Sequence, residues 1–121
     1  MTAPVLRFGS VVLDCPDPGA LADFYARLLG WPPDPEPSEG WATLTPPDGG
    51  VTIQFQHADD WRPSTWPDPE VQQMSHLDFA VDDIEAAHVW ALEVGAKFVR
   101  DSTSFRVYLD PAGHPFCLCA C

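Results

Sequence analysis

The chain repeats itself. At an offset of 66 residues Ser10 meets His76, Asp17 meets Asp83 and Phe24 meets Trp90. At an offset of 63, Trp41–Pro47 meets Ser104–Asp110, Gly50 meets Gly113 and Gln54 meets Cys117. The difference falls in the helix-to-strand connection, where insertions are tolerated. With 121 residues the chain is close to one ordinary domain. Two copies of the unit must therefore stack around a shared interior instead of forming separate domains.

Each copy opens on a strand and continues into a helix. Leu6 to Asp14 alternates; Asp17 then offers an N-cap with Pro18 just inside the helix. Leu21, Phe24, Tyr25, Leu28 and Leu29 recur at helical spacing up to Gly30. Trp41 to Thr45 and Val51 to Gln56 form a hairpin around Pro-Pro-Asp-Gly-Gly. The second copy begins at His76–Val81. Asp82 is expected to cap, with Glu85 completing a capping box, and Ile84, Ala87, Ala91 and Val94 form a helical stripe ending at Gly95. Phe98–Arg100, Phe105–Asp110 and Pro115–Cys119 are expected as the closing strands. The 14 prolines cluster between these segments and mark loops, because proline lacks the donor that helix interiors and central strands require. The resulting division is one domain over residues 1–121: module one at 5–57, a linker at 58–73 and module two at 74–121.

Charge limits the partners. Asp and Glu number 18 against 6 Lys and Arg, a net charge of −12. That argues against nucleic acid and anionic membranes, both of which require basic residues to displace counterions. No apolar run reaches the ~20 residues needed to span a bilayer. Met1–Phe8 holds no basic stretch followed by an apolar one, so no signal peptide is expected and the protein is placed in the cytoplasm. Of four cysteines, three alternate at the C-terminal end as Cys117, Cys119 and Cys121. Side chains two apart on a strand run parallel and bridge poorly, so reduced thiols are expected.

Period two then divides each strand into two faces. One is apolar and fits under the helices: Val11/Leu13, Ala42/Leu44, Ile53/Phe55, Leu77/Phe79/Val81, Phe105/Val107/Leu109 and Phe116/Leu118. The other carries Ser10, Val12, Asp14, Trp41, Thr43, Thr45, Thr52, Gln54, Gln56, His76, Asp78, Ala80, Arg106, Tyr108, Asp110, Cys117 and Cys119. It is poor in the Lys and Glu that dress a wet sheet face and rich in His, Cys, Gln, Trp and Tyr. It reads as the wall of a ligand cleft.

Residues 10–30, Ser-Val-Val-Leu-Asp-Cys-Pro-Asp-Pro-Gly-Ala-Leu-Ala-Asp-Phe-Tyr-Ala-Arg-Leu-Leu-Gly, resemble the first module of the vicinal oxygen chelate superfamily. This is the glyoxalase I, bleomycin-resistance and extradiol dioxygenase group. His76-Leu-Asp-Phe-Ala-Val-Asp-Asp resembles the opening of its second module, and Asp110-Pro-Ala-Gly-His-Pro-Phe-Cys-Leu-Cys its closing hairpin and final strand. The wording is closest to a glyoxalase-like subgroup. The resemblance implies an α+β fold of two βαβββ modules, a curved mixed-sheet cup with the helices on its outer face, and a homodimer. It also implies four ligand positions, filled here by Ser10, Gln54, His76 and Cys117. Only His76 is an ordinary ligand in its place, and Cys117 replaces a carboxylate.

The site residues expected are therefore His76 and Asp78 for acid/base work, His76, Cys117 and Gln54 for a metal, and Trp41, Gln54, Gln56, Arg106, Tyr108 and Trp66 for a ligand. No cofactor is the first expectation, and a divalent metal (Zn, Ni, Mn or Fe) the alternative. Whether the protein is an enzyme stays open. One reading is a small-molecule-binding protein with a degenerate metal site that sequesters a cationic or aromatic ligand. The other is a metal-dependent or His-based lyase or isomerase. Glyoxalase I activity itself is doubtful on these residues. His114 reads as a hydrogen-bonded turn residue. Trp61 and Trp66 read either as a lid or as a plug between the modules.

Overall fold

The computed structural model describes residues 4–66 and 68–120. In chain order they form β1 (Ser10–Cys15), α1 (Pro18–Leu29), β2 (Trp41–Leu44), β3 (Thr52–His57), β4 (Leu77–Ala80), α2 (Ile84–Glu93), β5 (Lys97–Asp101), β6 (Phe105–Leu109) and β7 (Pro115–Cys119). The strands make two mixed sheets, ordered β1-β3-β2 and β4-β7-β6-β5. The α+β expectation and the duplication are both realised. The first sheet has three strands, because the stretch matching β5 holds Pro32, Pro33, Pro35 and Pro37 and cannot donate to a ladder.

Local chemistry sets the element ends. Asp17 Oδ1 accepts from the Ala20 amide at 3.1 Å, and Asp83 Oδ1 from Ala86 at 3.1 Å. The second cap is thus Asp83 in place of the expected Asp82, in keeping with the 66-residue offset from Asp17. Gly30 closes α1 in the left-handed conformation, φ 70°.

One core serves both halves. Leu21, Phe24, Tyr25, Leu44 and Phe55 join Ala91, Tyr108, Phe116 and Leu118 in a single buried cluster. Tyr25 lies at its centre, stacked on Phe55 at 5.8 Å and edge-on to Phe116 at 6.2 Å. The Trp90 indole of α2 donates to the Leu28 carbonyl of α1 at 3.1 Å.

The register corrects one expected face. In module one Thr43 pairs with Gln54; in module two Val107 pairs with Cys117. The true offset of β6 from β2 is therefore 107 − 43 = 64, because the Pro46–Gly50 turn is one residue longer than its counterpart. A one-residue slip reverses every side chain. Arg106 and Tyr108 accordingly lie on the helix side, away from the cleft. The Tyr108 hydroxyl meets His88 Nδ1 at 2.7 Å and stacks on Phe116, while Arg106 is ion-paired to Glu85 and Asp101. The expectation of reduced thiols also needs correction: Cys15 and Cys117 are free, but Cys119 is disulfide-bonded.

Candidate functional site

The parallel ladder between β4 and β7 sets Asp78 opposite Cys117. His76, two residues before Asp78, reaches the same place. One ligand-type atom from each of these three side chains lies within 4.8 Å of the others. His76 Nε2 is 3.2 Å from Asp78 Oδ1. Burial pushes the Cys117 thiol up to about 11; the Asp78 charge and a thiol-to-carboxylate hydrogen bond add to this, and the Arg100 charge opposes it.

The Trp66 ring stacks on the His76 ring, centroids 6.0 Å apart and planes 11° apart. The Arg100 guanidinium lies over the other ring system of this stack, 5.5 Å from the Trp66 centroid. Arg100 was not legible from alternation alone.

Two cavities meet at His76. A small one of ≈ 150 Å³ is lined by His76, Asp78, Phe105, Cys117 and Cys119. The larger, of ≈ 360 Å³, runs between β1 (Val12, Leu13, Asp14), Tyr25 of α1, residues of the 58–73 stretch (Trp61, Arg62, Ser64, Val71 to Gln73), Met74 to Leu77, and His114 with Pro115. The linker is thus a wall of this cavity. Gln73 Oε1 is, among the described residues, the buried side-chain polar atom without a hydrogen-bond partner, and Gln73 lines the larger cavity.

The far end of that cavity is held by a polar cluster. Asp110, side chain fully buried, accepts from the Tyr25 hydroxyl at 2.7 Å and from the Ala112 and His114 amides at 2.9 Å each. His114 Nδ1 lies 2.8 Å from Asp110 Oδ2, and its Nε2 2.7 Å from the Asp14 carbonyl. The carbonyl can only accept, so Nε2 is a donor. That nitrogen is therefore committed to holding β1 against the β6–β7 turn, as the turn reading of His114 expected. Trp61 covers this cluster: its indole donates to the Ala112 carbonyl at 2.7 Å and its ring lies 4.5 Å from His114. Of the two tryptophans, Trp61 lines the larger cavity, whereas Trp66 lines neither cavity and stacks on His76.

The structure brings His76, Asp78, Cys117 and Trp66 together. Trp41, Gln54 and Gln56 share the other sheet's open face and line neither cavity. Arg106 and Tyr108 point the opposite way, as described. His76, Asp78 and Cys117 offer nitrogen, oxygen and sulfur, a donor set of the zinc class. Gln54 lies on β3, in the other sheet. Because the thiol must lose its proton to ligate, metal uptake at Cys117 would release a proton and strengthen with rising pH.

A family model described as "glyoxalase-like domain" matches residues 10–119. A comparison with curated proteins finds no match. Among solved structures, the chain is similar to a glyoxalase/bleomycin resistance protein/dioxygenase family enzyme from Burkholderia phytofirmans PsJN, with 18% identity, 93% of this chain and 97% of that one covered, and a TM-score of 0.73. It is also similar to a possible glyoxalase from Bacillus cereus, with 12% identity, 96% and 100% covered, and a TM-score of 0.72. A glyoxalase-related enzyme from Fulvimarina pelagi follows at 15% identity, 95% and 88% covered, and a TM-score of 0.68. At these identities the likenesses speak for the fold.

Proposed function

Because the chain belongs to the glyoxalase-like domain family of the vicinal oxygen chelate superfamily, we propose that it binds a small molecule in the ≈ 360 Å³ cavity next to a divalent metal held by His76, Asp78 and Cys117. One observation carries the reading: His76 lines the cavity and belongs to the three-ligand cluster at once. Such an ion supplies Lewis-acid polarisation of a ligand oxygen. The chain's own residues do the rest. Trp66 fixes the plane of the His76 ring, Gln73 Oε1 accepts a hydrogen bond from the ligand, and Trp61 keeps the far end of the cavity dry.

Elemental analysis of the purified chain tests this. About one zinc-class ion per chain is expected, lost in His76→Ala and Cys117→Ser, since removing a primary ligand leaves an incomplete set. No metal in the wild type, and no cobalt absorption band on titration, would remove the metal from the reading.

A second, metal-free reading draws on the protonated Cys117 thiol and the His76–Asp78 pair, which already satisfy one another. In it the protein is a sequestering binder, and His76→Ala weakens ligand uptake by about tenfold or less, the worth of one hydrogen bond. Lyase or isomerase chemistry would instead use His76 as the acid/base group, and the same change would cost at least ~100-fold in turnover.

The protein is further proposed to act as a homodimer of one-domain, cytoplasmic chains. Each sheet has exposed edge strands, and Val5, Leu6 and Phe8 stand out in solvent at 84%, 87% and 74% exposure. No helix of the described residues is long and apolar enough to cross a membrane. Light scattering at micromolar concentration distinguishes dimer from monomer.

A further inference from the structure

An irregularity in β5 sets Arg100 on the same strand face as Val107, beside the two cavities though in the lining of neither. Phe98 pairs with Tyr108 on the helix side, and the register shifts before Arg100, which pairs with Val107. Val99 is the additional residue. In an unbroken ladder Arg100 would face Arg106, placing two like charges opposite each other under α2. The bulge turns it over, a device that re-aims side chains beside functional sites. Val107 pairs with Cys117, and Cys117 with Asp78. Arg100, Val107, Cys117 and Asp78 thus form one row across four strands on one face, with neighbouring strands about 4.8 Å apart. The guanidinium at the end of this side chain lies over the Trp66 ring, 5.5 Å from its centroid.

Among the described residues this guanidinium has no anionic partner. Among the described residues the arginine ion pairs are those of Arg106 alone, although the chain carries 18 carboxylate side chains. Arg100 instead lies on Trp66, which lies on His76. The stack ties the guanidinium to the Trp66–His76 ring pair, and among the described residues its N–H fork has no hydrogen-bond partner. A fork of this kind takes carboxylate or phosphate oxygens two at a time.

We propose that Arg100 is the specificity-determining residue of this site, recognising an oxyanion group on a small ligand whose other end lies at His76, Asp78 and Cys117. This deepens the reading of the cleft as a ligand site and reverses the cationic preference that the overall charge suggests. Trp66 is the positioning residue: it holds the guanidinium without touching the oxyanion.

The test is a nuclear magnetic resonance titration of the full-length chain with benzoate and, separately, inorganic phosphate, after chelator treatment and again with added Zn²⁺. Wild type is expected to bind at least one probe, with shifts at the Trp66 indole and Arg100 side-chain N–H signals; which probe binds distinguishes carboxylate from phosphate. Arg100→Gln should weaken that binding by about tenfold or more, the worth of a charge-assisted contact, and Arg100→Lys should recover part of it. Arg27→Gln, on α1, removes the same charge elsewhere and should leave it unchanged. Failure of both probes to bind wild type, equal binding by Arg100→Gln, or an equal loss in Arg27→Gln would overturn the proposal. Arg100-dependent binding without Zn²⁺ uptake would sustain it while removing the metal; Zn²⁺ uptake with Arg100-independent binding would do the reverse.

Discussion

Asp110 shows how much one buried carboxylate can organise. It accepts from the Tyr25 hydroxyl and two backbone amides and lies 2.8 Å from His114 Nδ1, and so ties α1 and β1 to the β6–β7 turn. Asp110→Asn is expected to cost about 3 kcal/mol in urea unfolding, because it leaves donors facing donors in a dry place. Tyr25→Phe should cost less, about 2 kcal/mol, since only one charge-assisted bond is lost. At Cys117 the expectation concerns reactivity. Asp78→Asn removes the second-largest influence raising the thiol, after burial, so alkylation by iodoacetamide at pH 8 should quicken, by about tenfold or less. His76, Asp78 and Cys117 were legible in the sequence because each sits at a strand position whose parity was fixed by clear apolar neighbours. Arg106 and Tyr108 were not. In the run Phe105-Arg106-Val107-Tyr108-Leu109 alternation assigns the apolar parity to the helix side, and what reverses it is remote: Glu85, Asp101 and His88 supply partners that alternation cannot display.

At the level of elements, turns decide more than strands do. The extra residue in the Pro46–Gly50 turn shifts β2 relative to its repeat partner, and the Val99 bulge does the same inside β5. Neither changes the apolar pattern, so neither is visible to a period count. The helices were easier to place: Asp17, Pro18 and Gly30 bracket α1 by chemistry that acts within a turn. The β6–β7 turn also governs the linker. Gly113 has φ +92°, and a side chain there would collide with the Pro63 ring. Gly113→Ala should therefore lower stability by about 2 kcal/mol through left-handed strain and displacement of the linker. Limited proteolysis should then cut within residues 58–73 sooner than in wild type; unchanged cleavage would mean that Pro63 gives way freely.

Across the whole molecule the two halves are equal in plan and unequal in role. Module two holds the candidate ligands on its own strands, whereas module one contributes Val12, Asp14 and Tyr25 to the far side of the cavity. The linker completes the wall between them. Heat or urea should therefore produce one transition, with the tryptophan signals of the linker and the far-ultraviolet signal of the helices coinciding. Two separated transitions would show that the shared cluster couples the halves only weakly.

The position of Tyr25 has a consequence for ancestry. A duplicated unit could in principle be returned to a single copy, but this helix has become part of the other copy's interior, against Phe79 and Phe116 and bonded to Asp110. A chain severed in the linker should give two peptides that are each largely unfolded by circular dichroism and regain structure only when mixed. Each copy has kept the outline of an independent protein while surrendering the means to be one.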